Sequence, residues 1–342
     1  MYPDIPLWLS IVCIVVGFAV LAWSSDAFVD GASALAKAFG VSPFIIGMVI
    51  IGFGTSAPEL CVSAFSGATG HSDLSLGNAY GSCIFNIAVI LGVAALIKPL
   101  VVKPSVVFVA VPMLVAIALL SCLLVTLGGG FSRMDGVILL AVFFFLLPAY
   151  CWFDQSQKKK DDGRAPPLPG ATGVSPVAGR DKPMPLWKAW LLLFVGLALL
   201  MASSHALVWG CVDLARKMGV SELLIGLTIV AVGTSLPELA SAVASARKGE
   251  HEFVLGNIVG SNLFNTLAVV GLAGTISPFK NVSPFLLSRD LPMMVFMSLL
   301  VAVFGCNFRK PRESKAVGRA AGAIWLLLFM AYTALMLLQE TK

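Results

Sequence analysis

One stretch of this chain is written twice, and any fold must accommodate both copies. From Gly54 the sequence reads GTSAPEL and from Gly77 GNAYGSCIFN; from Gly233 it reads GTSLPEL and from Gly256 GNIVGSNLFN. Equivalent residues lie 179 positions apart, so Glu59 matches Glu238, Asn78 matches Asn257, Ser82 matches Ser261 and Asn86 matches Asn265. Gly31–Pro99 aligns with Gly210–Pro278 without a gap and with 28 identities over 69 positions, which marks an internal duplication.

Both copies sit inside apolar runs. Of the 342 residues, 58% are hydrophobic and 12% charged, about half the charged share of an ordinary soluble domain. Runs long enough to cross a bilayer recur throughout, so the chain reads as an all-α integral membrane protein. Its net charge of +5 then reflects basic loops on one side of a membrane and not a nucleic-acid partner. A carboxylate at membrane depth costs roughly 2.5–3.5 kcal/mol on insertion scales, which makes it a candidate functional group. Glu59 and Glu238, at matched positions of a repeat, are the strongest such candidates. The seven cysteines form no C-x-x-C pair and the three histidines have no metal-ligand spacing, so neither a disulfide framework nor a zinc site is expected. The first apolar run has no basic residue before it and reads as a retained span.

Ten spans are expected, at about 7–30, 42–68, 74–97, 105–127, 134–152, 187–209, 221–246, 253–276, 285–307 and 320–338. The first and sixth are expected to continue as helix to Gly40 and Gly219, with Asp26, Asp30 and Asp213 in those continuations as interfacial groups. Residues 153–186, rich in Lys, Pro and Gly, read as a disordered linker. It divides a first five-helix half, 1–152, from a second, 187–342, each holding one copy of the repeat (about 42–97 and 221–276). Five spans is an odd number, so the two halves enter the membrane in opposite orientations, as inverted repeats do in many secondary transporters. Seventeen lysines and arginines fall on the linker's side and six on the other. That excess predicts a cytoplasmic linker and both termini outside.

The repeated motif is a set of oxygen donors. Pro58 cannot donate to the carbonyl of Gly54 and disturbs that of Thr55. Freed carbonyls at membrane depth are tolerated where they line a cavity or are buried in protein. Ser56 and Glu59 lie three residues apart, on nearby faces of one helix. Asn78, Ser82 and Asn86, each four apart, form a polar stripe, beside which Gly77 and Gly81 would admit a second helix. The second copy adds Thr234, Ser235, Glu238, Asn257, Ser261 and Asn265. Asn78 and Asn257 fit helix packing as well as they fit a ligand role; Ser82, Ser261, Asn86 and Asn265 are read as ion contacts. Pooled, these groups suit a hard cation such as calcium, whereas softer metals would call for Cys or His. Two glutamates carry −2, the charge of one calcium ion, and several sodium ions could share the same oxygens.

On these motifs the chain resembles the calcium/cation antiporter superfamily and, within it, the prokaryotic sodium/calcium exchangers. The resemblance extends over nearly the whole chain. It implies that Glu59 and Glu238 ligate calcium with help from the backbone carbonyls of Thr55 and Thr234. It implies sodium sites that draw on Ser56, Ser82, Ser235 and Ser261, and it places Asn86 and Asn265 at the centre. Many members carry Asp at one of the last two positions, where this chain has Asn at both. The expected activity is exchange of sodium for calcium, with the two ions as cargo, the bilayer as surroundings and no cofactor. Rival readings are a proton-coupled or potassium-dependent exchanger and, in another class, a passive cation channel. No nucleophile–histidine pairing at membrane depth suggests an enzyme.

Overall fold

A computed structural model describes residues 4–68, 72–128, 130–161, 184–219, 231–278, 282 and 284–340. In the first half the helices are α1 (Leu7–Phe39), α2 (Pro43–Thr55), α3 (Ala57–Ala68), α4 (Ser75–Ile97), α5 (Val106–Leu127) and α6 (Arg133–Asp161). In the second they are α7 (Leu186–Lys217), α8 (Ala231–Thr234), α9 (Leu236–Lys248), α10 (His251–Ile276), α11 (Leu286–Gly305) and α12 (Arg319–Glu340). Eight of these are long and apolar enough to span a bilayer, and α2 with α3 makes a ninth candidate that is bent by 43°. The expected span at 221–246 is described only from Ala231 onward, as α8 and α9; its beginning lies outside the described residues.

Burial sorts the helices into a polar centre and an apolar wall. The α10 span is wholly buried and that of α4 nearly three-quarters buried, whereas α6 and α12 are mostly exposed. The exposed side chains are large and apolar: Phe145 is 80% exposed, Leu127 78% and Trp8 64%. A water-soluble surface does not carry so much contiguous apolar area, and a bilayer accounts for it. The two helices with the Asn/Ser stripes are thus the ones withdrawn furthest from lipid.

The helices α1 and α7 are equivalent in the duplication and pack against each other in opposite directions. Gly17 lies against Leu207, Gly31 against Ala189 and Leu193, Gly196 against Phe28, and Gly210 against Ser10. Gly17 corresponds to Gly196 and Gly31 to Gly210, so each helix presents the same two small residues to its counterpart. Gly40 (φ 64°) ends α1 and Gly219 (φ 80°) follows α7, both in the left-handed region, where glycine carries no steric penalty. This agrees with the helix continuation read from the sequence. The acidic residues of those continuations engage lysines. Lys248 lies 2.8 Å from Asp30 and 3.6 Å from Asp26. Lys217 lies 2.5 Å from Asp213, which also accepts from the Ser10 hydroxyl and, at 3.2 Å, from the Ile5 amide.

Two expectations are corrected. The chain is not purely helical: β1 (Leu100–Val102) pairs antiparallel with β2 (Lys315–Val317), in the register Leu100↔Val317 and Val102↔Lys315. Pro99 and Pro104 confine a β-branched stretch to an extended conformation, but its partner lies over 200 residues away and no local pattern announces it. The expected linker also starts late. α6 runs on to Asp161, because Asp154–Lys160 holds no breaker and the first glycine is Gly163. The rest of that linker, 162–183, lies outside the described residues.

Candidate ion-binding site

Proline builds the site by breaking two helices at the same place. Pro58 follows the bend between α2 and α3, and Pro237 follows the gap between α8 and α9. At each break a serine takes up almost the same backbone conformation: Ser56 has φ −83° and ψ 6°, Ser235 φ −93° and ψ 10°. This bridge region is sparsely populated and frequent at functional sites. The break turns the glutamate three residues on toward the middle of the bundle.

There the copies exchange hydrogen bonds. The Ser56 hydroxyl donates to Glu238 Oε1 at 3.1 Å, and the Ser235 hydroxyl donates to Glu59 Oε1 at 3.1 Å. Ser82 lies 3.3 Å from Ser235, hydroxyl to hydroxyl. Neither half therefore holds a complete site. Both glutamates are buried, and in each the second oxygen, Oε2, has no hydrogen-bond partner among the described residues. The ion pairs among the described residues lie elsewhere. A buried carboxylate without a cation is costly. Among the described residues no group of three or more His, Cys, Asp or Glu is gathered for a metal. The charge on offer is that of two carboxylates amid neutral oxygens.

Asn78 and Asn257 turn out to be anchors. The Asn78 amide nitrogen donates to the Glu59 backbone carbonyl at 3.3 Å and to the Ser63 hydroxyl at 3.0 Å. That of Asn257 donates to the Glu238 carbonyl at 3.3 Å and to the Ser241 hydroxyl at 3.0 Å. Each asparagine thus ties the helix after the break to its neighbour, one turn from the glutamate. Asn257 Oδ1 also accepts from Thr55 and from Ser261, each at 3.4 Å. Ser261 is therefore held on the stripe, its hydroxyl donating to Asn257 rather than to a carboxylate. The nitrogen of each anchoring asparagine is thus committed to packing.

Asn86 and Asn265 lie one turn further on, both buried. Asn86 opens the π-helical turn Asn86–Ile90, and Asn265 lies within Phe264–Val269, another. Such widened turns recur at functional sites. Asn86 donates from Nδ2 to Asn262 Oδ1 at 3.1 Å; among the described residues its Oδ1, and both amide atoms of Asn265, have no hydrogen-bond partner. Asn262 does not stand out in the sequence. It corresponds to Cys83, so the copies differ there, and a search for matched polar residues passes over it.

Among the described residues, the helix-crossing glycines are those of the second copy. A Cβ on Gly260 would fall 2.1 Å from the Met48 carbonyl oxygen, and one on Gly256 2.3 Å from that of Phe44. The α2 backbone thus lies directly on α10, which sets Thr55 against Asn257. A Cβ on Gly77 or Gly81 meets nothing within 4 Å among the described residues. The residues that correspond in the repeat to Phe44 and Met48, Leu223 and Leu227, lie outside the described residues.

This geometry has counterparts among known proteins. The sequence pattern of the family described as "Sodium/calcium exchanger protein" matches residues 9–151 and 188–338, one block in each half. The chain is 36% identical to the inner membrane protein YrbG of Escherichia coli over 89% of its own length and 91% of that protein's. It is 29% identical to the sodium/calcium exchanger MaX1 of Methanosarcina acetivorans, over 85% of its own length and 89% of that chain. Among solved structures it superposes on the sodium-calcium exchanger NCX_Mj, soaked with sodium and strontium, with a TM-score of 0.77 and 28% identity, over 96% of this chain and 99% of that one.

Proposed function

The chain belongs to the sodium/calcium exchanger protein family, and from that premise we propose that it is a secondary antiporter in which sodium moving down its gradient drives calcium the other way. Cation antiport is the family's activity; the identity of the two ions and the route are our own reading. The observation that carries it is the reciprocal bonding of Ser56 to Glu238 and Ser235 to Glu59, with one unpartnered oxygen on each glutamate. Two such oxygens supply the −2 that one calcium ion balances, and flexible oxygen coordination suits calcium. Glu59 and Glu238 are its charged ligands, with the backbone carbonyls of Thr55 and Thr234 beside them. Ser56, Ser82, Ser235 and Ser261 serve sodium, and Asn86 and Asn265 complete the centre. The hydroxyls also act between ions. When no cation neutralises a carboxylate, a donated hydrogen bond from the other half partly replaces it.

The architecture that fits is ten spans in two inverted five-helix repeats. The antiparallel packing of α1 on α7 through equivalent glycines supports it. So does the completion of each half's carboxylate by the other half. A site shared by two oppositely oriented halves can open to either side by moving one part against the other. Exchange then follows from competition: calcium and sodium claim the same oxygens, and the site faces one side at a time. The NCX_Mj structures with sodium and strontium or calcium support this pairing of ions.

Calcium uptake into proteoliposomes under imposed sodium, potassium or proton gradients tests the reading. Uptake driven by an outward sodium gradient alone is expected. Uptake that follows only a proton gradient, or that requires potassium, would replace sodium as sole partner. Uptake indifferent to any gradient but calcium's own would indicate a channel.

Orientation has its own test. The excess of lysine and arginine on the linker's side places both termini outside and the protein in the cell membrane with a cytoplasmic linker. In a background without the native cysteines, Ala165→Cys is expected to react with an impermeant maleimide only when the cytoplasmic face is exposed. Labelling in intact cells would reverse the assignment.

A further inference from the structure

The two copies hold their central asparagines differently, and the cause is a single difference between the repeats. In the first copy the Asn86 amide nitrogen is engaged by Asn262 Oδ1 at 3.1 Å. In the second copy the corresponding pair is Asn265 with Cys83. A thiol accepts hydrogen bonds weakly, and Cys83 is directed instead to the Asn262 carbonyl oxygen at 3.7 Å and the Thr266 hydroxyl at 3.6 Å. Asn262 is itself held in place, its Nδ2 donating to the Cys83 carbonyl oxygen at 3.3 Å. All these residues are buried. An amide offers a cation only its oxygen. With Nδ2 of Asn86 occupied, the end left open is Oδ1, whereas no hydrogen bond among the described residues fixes which end of Asn265 is presented.

We propose that Asn262 is a positioning residue that locks the Asn86 amide with its oxygen open to the cation, while Cys83 leaves Asn265 unlocked, so the two copies contribute a fixed and an adjustable ligand. This rests on the proposed reading of the site as a cation cage, but not on which cation is carried. A ligand held in advance binds without the cost of being ordered, so Asn86 should matter more than Asn265 to the affinity of the loaded site. The adjustable Asn265 can serve ions of different size in turn, at lower affinity.

The test uses the full chain in proteoliposomes and reads the half-saturating cation concentration separately from the maximal rate. Asn262→Cys, which copies the first repeat into the second, is expected to raise half-saturating calcium about five-fold, the worth of one neutral hydrogen bond, with the maximal rate little changed. Asn262→Gln keeps both an acceptor oxygen for Asn86 and a donor nitrogen for the Cys83 carbonyl, and should lose much less affinity than Asn262→Cys, which a merely structural role would not require. The decisive comparison is Asn86→Ala against Asn265→Ala, made in the parent and again in the double exchange Cys83→Asn/Asn262→Cys. Asn86→Ala should cost more affinity in the parent, and Asn265→Ala more in the double exchange. The same order in both backgrounds, or an unchanged half-saturating concentration in Asn262→Cys, would overturn the proposal. If the parent moves sodium but no calcium, the proposed cargo fails, and the reversal is then sought in half-saturating sodium for sodium–sodium exchange. Its presence there would uphold the positioning role and its absence would end it.

Discussion

Glu59→Gln and Glu238→Gln should each lower calcium exchange by about 30-fold or more while leaving a folded protein. Glutamine keeps the shape of the side chain, and its Oε1 can still accept the serine hydroxyl that now lies 3.1 Å away. What it loses is charge. With one carboxylate left, a divalent ion in a buried site is half balanced, and removing one partner of a desolvated charge pair costs about 2–5 kcal/mol. Ser56→Ala and Ser235→Ala serve as the contrast. Each deletes one hydroxyl and no charge, so an effect of about 1 kcal/mol, or several-fold, is expected. Initial calcium flux in proteoliposomes, normalised to monodisperse purified protein, gives the comparison. A glutamine variant that transports at the parental rate would remove that glutamate from the site. Serine variants as inactive as the glutamine ones would mean that the reciprocal hydrogen bonds, and not the charge, carry the function.

Much of this geometry can be read from the sequence, because a duplication reports which residues the fold needs twice. Gly-Thr-Ser-x-Pro-Glu marks both helix breaks, since a proline amid apolar residues has a local consequence that needs no tertiary information. The stripe of Asn78, Ser82 and Asn86 follows from helical spacing in the same way. Less is legible wherever the partner is distant or unlike. The sequence does not show that Ser56 serves the other copy's glutamate, since nothing in a repeat says whether its copies complete themselves or each other. The anchoring role of Asn257 shows only once its nitrogen is seen on the Glu238 carbonyl and Ser241. Asn262 escapes notice because the duplication is broken there by Cys83. The β1–β2 pair escapes because its two strands are three residues each and lie far apart in the chain.

The largest structural effect is expected at Gly260, where two opposing influences differ in sign. In an exposed helix, Gly→Ala stabilises by about 1 kcal/mol through backbone entropy. At Gly260 the new Cβ would meet the Met48 carbonyl oxygen at 2.1 Å and the Met48 Cα at 2.7 Å. Both are backbone atoms of α2, so no rotamer change relieves the clash and the helix itself must move. Overpacking of this kind costs about 1–3 kcal/mol even where the surroundings yield, which outweighs the propensity gain. The displacement also bears on the site, because α2 carries Thr55, which lies 3.4 Å from Asn257 Oδ1, and leads into Ser56 at the break. Gly260→Ala is therefore expected to lower the thermal midpoint and to reduce exchange at temperatures where the protein is still fully folded; Gly260→Val should yield little monodisperse protein in detergent. Gly318→Ala is the control, since a Cβ there meets nothing within 4 Å among the described residues. Size-exclusion profiles, thermal midpoints and calcium flux of the three variants decide the matter. A Gly260→Ala protein as stable and as active as the parent would show that α2 does not need its backbone contact with α10, and that the two copies are held in register by something other than this crossing.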